Sequence, residues 1–111
     1  METKTIALPR LNNLRPTLES TALKLMEEAG ELSQAIGKYR AMSGEQERRD
    51  SLEVARAISE ELLDVAQTAV TMMFVLEDEM GVDIDQSLAR HVEKLIRKGY
   101  LRLDERPGAG T

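Results

Sequence analysis

The sequence has no cysteine, no tryptophan, and only one phenylalanine and two tyrosines among 111 residues. Without cysteine there is no disulfide framework and no thiolate metal site, and a reducing cytoplasm is the default location. The scarcity of aromatic residues predicts an aliphatic, methionine-rich core. No apolar run approaches the roughly 20 residues of a membrane-spanning helix, and the N-terminus lacks a signal-peptide pattern. We therefore expect a cytoplasmic protein with no membrane partner.

Proline is also scarce, and Pro9, Pro16 and Pro107 all lie outside the long periodic segments. This distribution favours an all-α fold, because proline inside a helix breaks it. Apolar spacing predicts three main helices, over residues 17–39, from 45 or 51 to 80, and from 83 to 99, after a short N-terminal helical turn around Leu8 and Leu14. We expect one domain over residues 1–106 and a flexible tail over 107–111.

The second predicted helix is apolar on nearly every side over residues 62–76. A three-helix monomer of this length does not have enough neighbours to cover such a helix. We therefore expect homo-oligomerisation into a homodimer or homotetramer that completes the bundle.

Acidic residues outnumber basic ones, 20 to 15, which gives a formal net charge of −5. This balance argues against stable binding to nucleic acid. It suits a protein that binds divalent cations and meets an anionic substrate through them. Solubility alone explains the charge equally well.

Two short acidic runs carry the strongest signal. A helical wheel places Glu28 and Glu31 on one flank of the first apolar stripe, which includes Ala29, and places Glu61 and Asp64 on one flank of the second, which includes Leu62. If the helices pack antiparallel, four carboxylates converge and need cations between them, or some of them become protonated. Hard oxygen ligands suit Mg²⁺ or Mn²⁺. Glutamate is also common on solvated helix faces, so each run alone has an ordinary structural interpretation.

The residues LMEEAGEL at 25–32 and ISEELLDV at 58–65 resemble the paired acidic motifs of the MazG-like nucleoside triphosphate pyrophosphohydrolases. The resemblance extends over residues 14–102. It implies an all-α enzyme that converts a nucleoside or deoxynucleoside triphosphate into the monophosphate and pyrophosphate. The implied role is house-cleaning, the removal of aberrant or surplus nucleotides.

By this resemblance Glu28, Glu31, Glu61 and Asp64 are Mg²⁺ ligands. Glu27 belongs to the motif as well, although the wheel turns it to the opposite face. Glu27 and Glu31 are unranked candidates for the residue that orients or deprotonates the attacking water. The basic residues of the third helix and its end are candidates for contacting phosphates: Lys94, Lys98 and Arg102.

Three other interpretations stay open from the sequence. A phosphoribosyl-ATP pyrophosphohydrolase is a small all-α relative with similar acidic motifs. A non-catalytic helical module that binds nucleotides, metal or a protein partner is the alternative from another class. A regulatory protein that binds Mg²⁺ or Ca²⁺ without a substrate is the weakest of the three.

Overall fold

The structure is a computed structural model, and it describes residues 1–41 and 48–103. It contains three helices: α1, Leu18–Ala41; α2, Arg48–Met80; and α3, Ile84–Arg97. No strand occurs in the described ranges, so the predicted all-α fold with three main helices is confirmed. The alternative start of the second helix at residue 45 and the predicted tail at 107–111 fall outside the described ranges.

The start of α1 is fixed by Thr17 and Ser20. The Ser20 amide donates to Thr17 Oγ1 at 3.0 Å, and the Thr17 amide donates to Ser20 Oγ at 2.8 Å. This reciprocal pair is a capping box in which serine occupies the place of the usual glutamate. Pro16 therefore lies just before the cap.

The connection between α2 and α3 is a tight glycine turn. Gly81 has a φ of 64°, and its amide donates to the Glu77 carbonyl at 3.2 Å, which is the αL form of helix ending. Asp83 then caps α3 by accepting a hydrogen bond from the Gln86 amide at 3.0 Å. Both features have local sequence signals, a glycine just after the end of α2 and an aspartate at the N-cap of α3.

Helices α1 and α2 pack antiparallel. Near the start of α1, Leu18 shares a cavity with Val75 of α2, whereas near its end Ala35 shares one with Val54. The less exposed side chains of α1 recur at three- and four-residue spacing and define its seam with α2: Thr21, Leu25, Glu28, Leu32 and Ala35. The matching residues of α2 are Val54, Ile58, Glu61, Val65, Thr68 and Val75.

The N-terminal segment contains a bend at residues 12–13 and no helical turn, so the predicted short turn is wrong. Its contacts are with α2. Gln67 Nε2 donates to the Pro9 carbonyl at 2.9 Å, and the Arg10 guanidinium donates to both Asp78 carboxylate oxygens at 2.6 and 3.2 Å. Arg10 also stacks 4.3 Å from the Phe74 ring centre. We call residues 8–16 the strap.

Helix α3 stands apart from the α1–α2 pair. It has no buried residue, and α1 with α2 is the one extensive helix–helix packing in the described part of the chain. The radius of gyration is 18.2 Å, whereas a compact chain of this length has one of about 13 Å. None of the described helices combines the length and apolar character needed to cross a membrane.

Many large apolar side chains remain exposed in the single chain. Val75 is the one apolar residue classed as buried in the described ranges, whereas Leu23, Met26 and Leu62 are 70%, 74% and 54% exposed. The predicted apolar stripes ran through Ala29 and Leu62, but both residues lie outside the α1–α2 seam. Each long helix therefore carries apolar surface on a second side as well as in the seam.

Gly37 provides a test of this packing. A Cβ built at Gly37 meets nothing within 4 Å, so Gly37→Ala removes a helix-interior glycine without a clash. We expect the free energy of unfolding to rise by about 1 kcal/mol. Chemical denaturation followed by circular dichroism measures it. Gly81→Ala is the matched control, and it should destabilise the protein because φ is positive there. A destabilising Gly37→Ala would show that another surface packs on this position.

Candidate metal centre

Glu28 lies inside the seam between α1 and α2. It follows Thr21 by two helical turns on the same face, and only 5% of the residue is exposed. Its Oε1 atom is 3.0 Å from Lys24 Nζ. Its Oε2 atom is buried and has no hydrogen-bond partner within the described ranges. The helical wheel predicts Glu28 on the flank of the buried face, whereas in the structure Glu28 lies within that face.

Glu61 faces Glu28 from α2, and Glu31 lies one turn further along α1. One carboxylate oxygen from each of these three residues lies within 4.8 Å of the others. We call Glu28, Glu31 and Glu61 the carboxylate cluster. The Oε2 atom of Glu61 is also buried, and no described residue bonds to it.

Repulsion dominates the electrostatics of the cluster. The pKa of Glu31 is raised above its ordinary value, first by the negative charge of Glu28 and then by desolvation and the charge of Glu61. A cation among the three carboxylates would relieve this repulsion. Two buried oxygens without partners and a third, more accessible carboxylate are a donor set that fits a hard divalent ion.

The two remaining acidic candidates lie outside the cluster. Asp64 is exposed on α2, where it lines a cavity together with Glu28. Glu27 is exposed on α1, with its Oε1 atom 3.5 Å from Lys24 Nζ. The four-carboxylate convergence expected from the sequence is therefore a group of three, with Asp64 at its edge.

The basic candidates are not brought to the cluster within one chain. Lys94 lies on α3, and Lys98 caps the end of that helix, which Gly99 terminates with a φ of 82°. Arg102 follows, and all three basic side chains are exposed. Within the described ranges no ion pair joins any of them to a carboxylate of the cluster.

Two cavities meet at the carboxylate cluster. The strap cavity, about 410 Å³, lies under residues 11–16 and is bordered by Glu28 and Asp64. The distal cavity, about 530 Å³, lies on the other side and is bordered by Glu31 and Glu61. A substrate on the cluster therefore has space on both sides.

Lys24 is the site residue that the sequence reasoning missed. It follows the helix start by two turns and reaches Glu28 at (i, i+4) spacing, a pairing that the sequence shows. Its pKa is raised, chiefly by the hydrogen bond to Glu28 and by the charge of Glu27. This ammonium partly offsets the negative charge of the cluster.

The fold and this site define an all-α protein with a carboxylate cluster between two antiparallel helices. Residues 16–99 match the MazG nucleotide pyrophosphohydrolase domain family. The match includes both acidic runs and all three helices, and the chain belongs to this family. No curated protein and no solved structure gives a significant match.

Replacing Lys24 tests whether the cluster attracts cations. We expect Lys24→Met to lower the Kd for Mg²⁺ about two- to fivefold, because the ammonium no longer competes for Glu28 and its exposed position limits the effect. Isothermal titration calorimetry without nucleotide measures the Kd. Lys4→Met, in the exposed N-terminus, should leave it unchanged. Weaker Mg²⁺ binding by Lys24→Met would show that Lys24 supports the site.

Proposed function

We propose that this protein is a Mg²⁺-dependent nucleoside triphosphate pyrophosphohydrolase that acts on surplus or aberrant ribo- or deoxynucleotides in the cytoplasm. It converts the triphosphate into the monophosphate and pyrophosphate. The observation that carries the proposal is the carboxylate cluster, in which Glu28 and Glu61 bury oxygens that have no partner among the described residues. Membership of the MazG family supports the same reaction class.

Glu28, Glu31 and Glu61 would hold the metal, with Asp64 at the edge of the site. Bound Mg²⁺ supplies charge neutralisation for the triphosphate and lowers the pKa of a bound water. Mn²⁺ has similar ligand preferences. The helices contribute rigidity, because Glu28 and Glu61 project from facing positions of the seam.

Glu31 is the better supported of the two candidates for a general base. It is the exposed member of the cluster, so a water molecule can reach it more easily than Glu28 or Glu61. Glu27 lies outside the cluster and contacts Lys24. That position supports a role in holding Lys24 beside Glu28.

Pyrophosphate release tests the reaction directly. We expect a panel of ribo- and deoxynucleoside triphosphates to include substrates, and Glu61→Gln to lower kcat/KM at least about a hundredfold because a metal-binding carboxylate is lost. A chelator should abolish turnover by the unaltered protein. Glu60→Gln is the matched control, since Glu60 is exposed and outside the cluster.

The other outcomes of this assay are informative. Equal activity in Glu61→Gln and the unaltered protein would contradict the proposal. Turnover of phosphoribosyl-ATP without turnover of the panel would select the phosphoribosyl-ATP pyrophosphohydrolase. Mg²⁺ or nucleotide binding without turnover would select a non-catalytic binding module.

We propose further that the chain functions as a homodimer or homotetramer. Leu23, Met26 and Leu62 leave apolar surface outside the seam, and α3 presents an amphipathic helix without extensive packing against the other described helices. Large apolar patches on the surface of a protein often mark a contact with another chain. Burial of these faces by a second copy would also allow Lys94, Lys98 and Arg102 to approach a neighbouring site and offset charge on the leaving pyrophosphate.

Size-exclusion chromatography with light scattering tests the assembly. We expect a mass at a multiple of the 12.4 kDa chain mass. Met26→Glu should shift the protein toward the monomer, because it places a charge on an exposed apolar face. Ile6→Glu, at an exposed position of the N-terminal segment before the strap, is the control and should leave the mass unchanged. A monomeric unaltered protein would contradict the proposal.

A further inference from the structure

The strap cavity has two chemically different walls. Leu11, Leu14 and Pro16 of the strap form an apolar wall. The helices provide a polar wall that includes Thr21 and Thr68, which are 4% and 8% exposed. The cavity therefore combines apolar side chains from the strap with buried hydroxyl groups from the helices.

The hydroxyl groups of the polar wall act as acceptors. Thr21 Oγ1 donates to the Thr17 carbonyl at 2.8 Å, and Thr68 Oγ1 donates to the Asp64 carbonyl at 2.9 Å. Each hydroxyl has one hydrogen, so what remains toward the cavity is lone-pair acceptor capacity. These two hydroxyls therefore suit a ligand that brings N–H or O–H donors, whereas Arg15 and Lys24, which also line the cavity, can donate to acceptors.

A polyphosphate chain is a poorer occupant, because the apolar wall offers it no partner and the carboxylates of Glu28 and Asp64 at the border repel it. A nucleoside is a better one, since its base has flat apolar faces and its sugar hydroxyls or exocyclic amines are donors. The cavity volume of about 410 Å³ is in the range of small-molecule sites. Glu28 belongs to both the cavity wall and the carboxylate cluster, so one ligand can occupy both.

Arg10 does not line the strap cavity. It lies behind the strap, in a smaller cavity of about 230 Å³ that shares Leu11, Leu14 and Pro16 with the strap cavity. There the guanidinium binds α2 through hydrogen bonds to both Asp78 carboxylate oxygens and a cation–π contact with the Phe74 ring. The Gln67 bond to Pro9 is the neighbouring anchor. These contacts fix the apolar wall relative to the hydroxyl wall.

We propose that the strap cavity takes the nucleoside part of the substrate and that Arg10 is a positioning residue that holds its apolar wall. The inference rests on the proposed function, because it assumes that the triphosphate lies at the carboxylate cluster. The strap would then contribute to nucleoside affinity, and the carboxylate cluster would carry out the hydrolysis. Changes to the strap should therefore alter KM much more than kcat.

The first test is kinetic, on the full chain. We expect Arg10→Ala and Leu14→Asp each to raise KM for the best triphosphate substrate about three- to tenfold, with kcat changed less than about twofold. Both side chains are largely exposed, so the fold should tolerate the changes. Arg40→Ala removes another arginine near an aromatic ring, and Ile6→Asp adds a charge before the strap. These two controls should leave KM unchanged.

Exchanging the charges of Arg10 and Asp78 distinguishes a positioning role of Arg10 from a general contribution to the stability of the fold. Arg10→Glu should raise KM, and adding Asp78→Arg should return it toward the original value, because the pair reforms with reversed charges. A merely structural effect would instead reduce the folded fraction and with it the apparent kcat. Failure of the double variant to recover, with KM unchanged in Leu14→Asp, would overturn the inference while leaving the proposed function intact.

The second test needs no turnover. Binding of ribo- and deoxynucleoside 5′-monophosphates by calorimetry should weaken in Leu14→Asp and Arg10→Ala by the same factors as KM. If no triphosphate is hydrolysed but monophosphates bind in a Leu14-dependent manner, the proposed reaction fails and the nucleoside site stands. If the unaltered protein neither hydrolyses triphosphates nor binds monophosphates, both fail. If monophosphates bind equally to all variants, the nucleoside lies elsewhere.

Discussion

The structure depends on two glutamates that face each other across a helix seam. Glu28 and Glu61 occupy positions where an antiparallel helix pair ordinarily buries aliphatic side chains. Carboxylates are stable in such a place only when they are paired, protonated or bound to a cation. Lys24 supplies one contact, to a single oxygen of Glu28. The raised pKa of Glu31 shows the repulsion that remains.

This constraint limits how well one chain can stabilise itself. The most buried residues of the seam include Thr21, Glu28 and Thr68, so the centre of the helix pair contributes little apolar burial. Hydrophobic burial is the main favourable term in folding, and here much apolar surface lies on the other sides of the helices. A polar seam with exposed apolar outer faces suits a site within an assembly. The bundle that stabilises the protein would then form around the seam.

The sequence predicts the parts of this structure that depend on local signals. Helical periodicity, the Asp83 cap and the glycine endings give α1, α2 and α3 nearly at their observed bounds. The convergence of Glu28, Glu31 and Glu61 follows from the spacing of the two acidic runs and antiparallel packing. The exact seam does not follow, because the wheel assigns burial to the most apolar face. In this protein the most apolar face of each helix is partly exposed. Glu28 instead lies at the centre of the contact between α1 and α2.

The position of the strap on α2 cannot be predicted from the sequence, for a different reason. The strap is held by the contact between Arg10 and Asp78, which are 68 residues apart in the sequence. No local sequence pattern around either residue predicts this contact. Without that contact, residues 8–16 read as an aperiodic segment, and their leucines suggested a helical turn that does not form. A tertiary contact made by a single arginine produces no periodic pattern in the sequence. It can therefore be recognised only from the three-dimensional structure.

Charge also constrains the order in which ligands can assemble at this site. A triphosphate and three facing carboxylates repel each other, and the Lys24 ammonium is already engaged with Glu28 and Glu27. The anion can therefore approach the cluster only after a cation has entered it or together with a cation. The strap cavity places less of this restriction on a nucleoside, because a neutral nucleoside is not repelled by Glu28 and Asp64 at the border of the cavity. Under the proposed function, a nucleoside could therefore bind there without the metal, whereas its triphosphate would need a cation to reach the cluster.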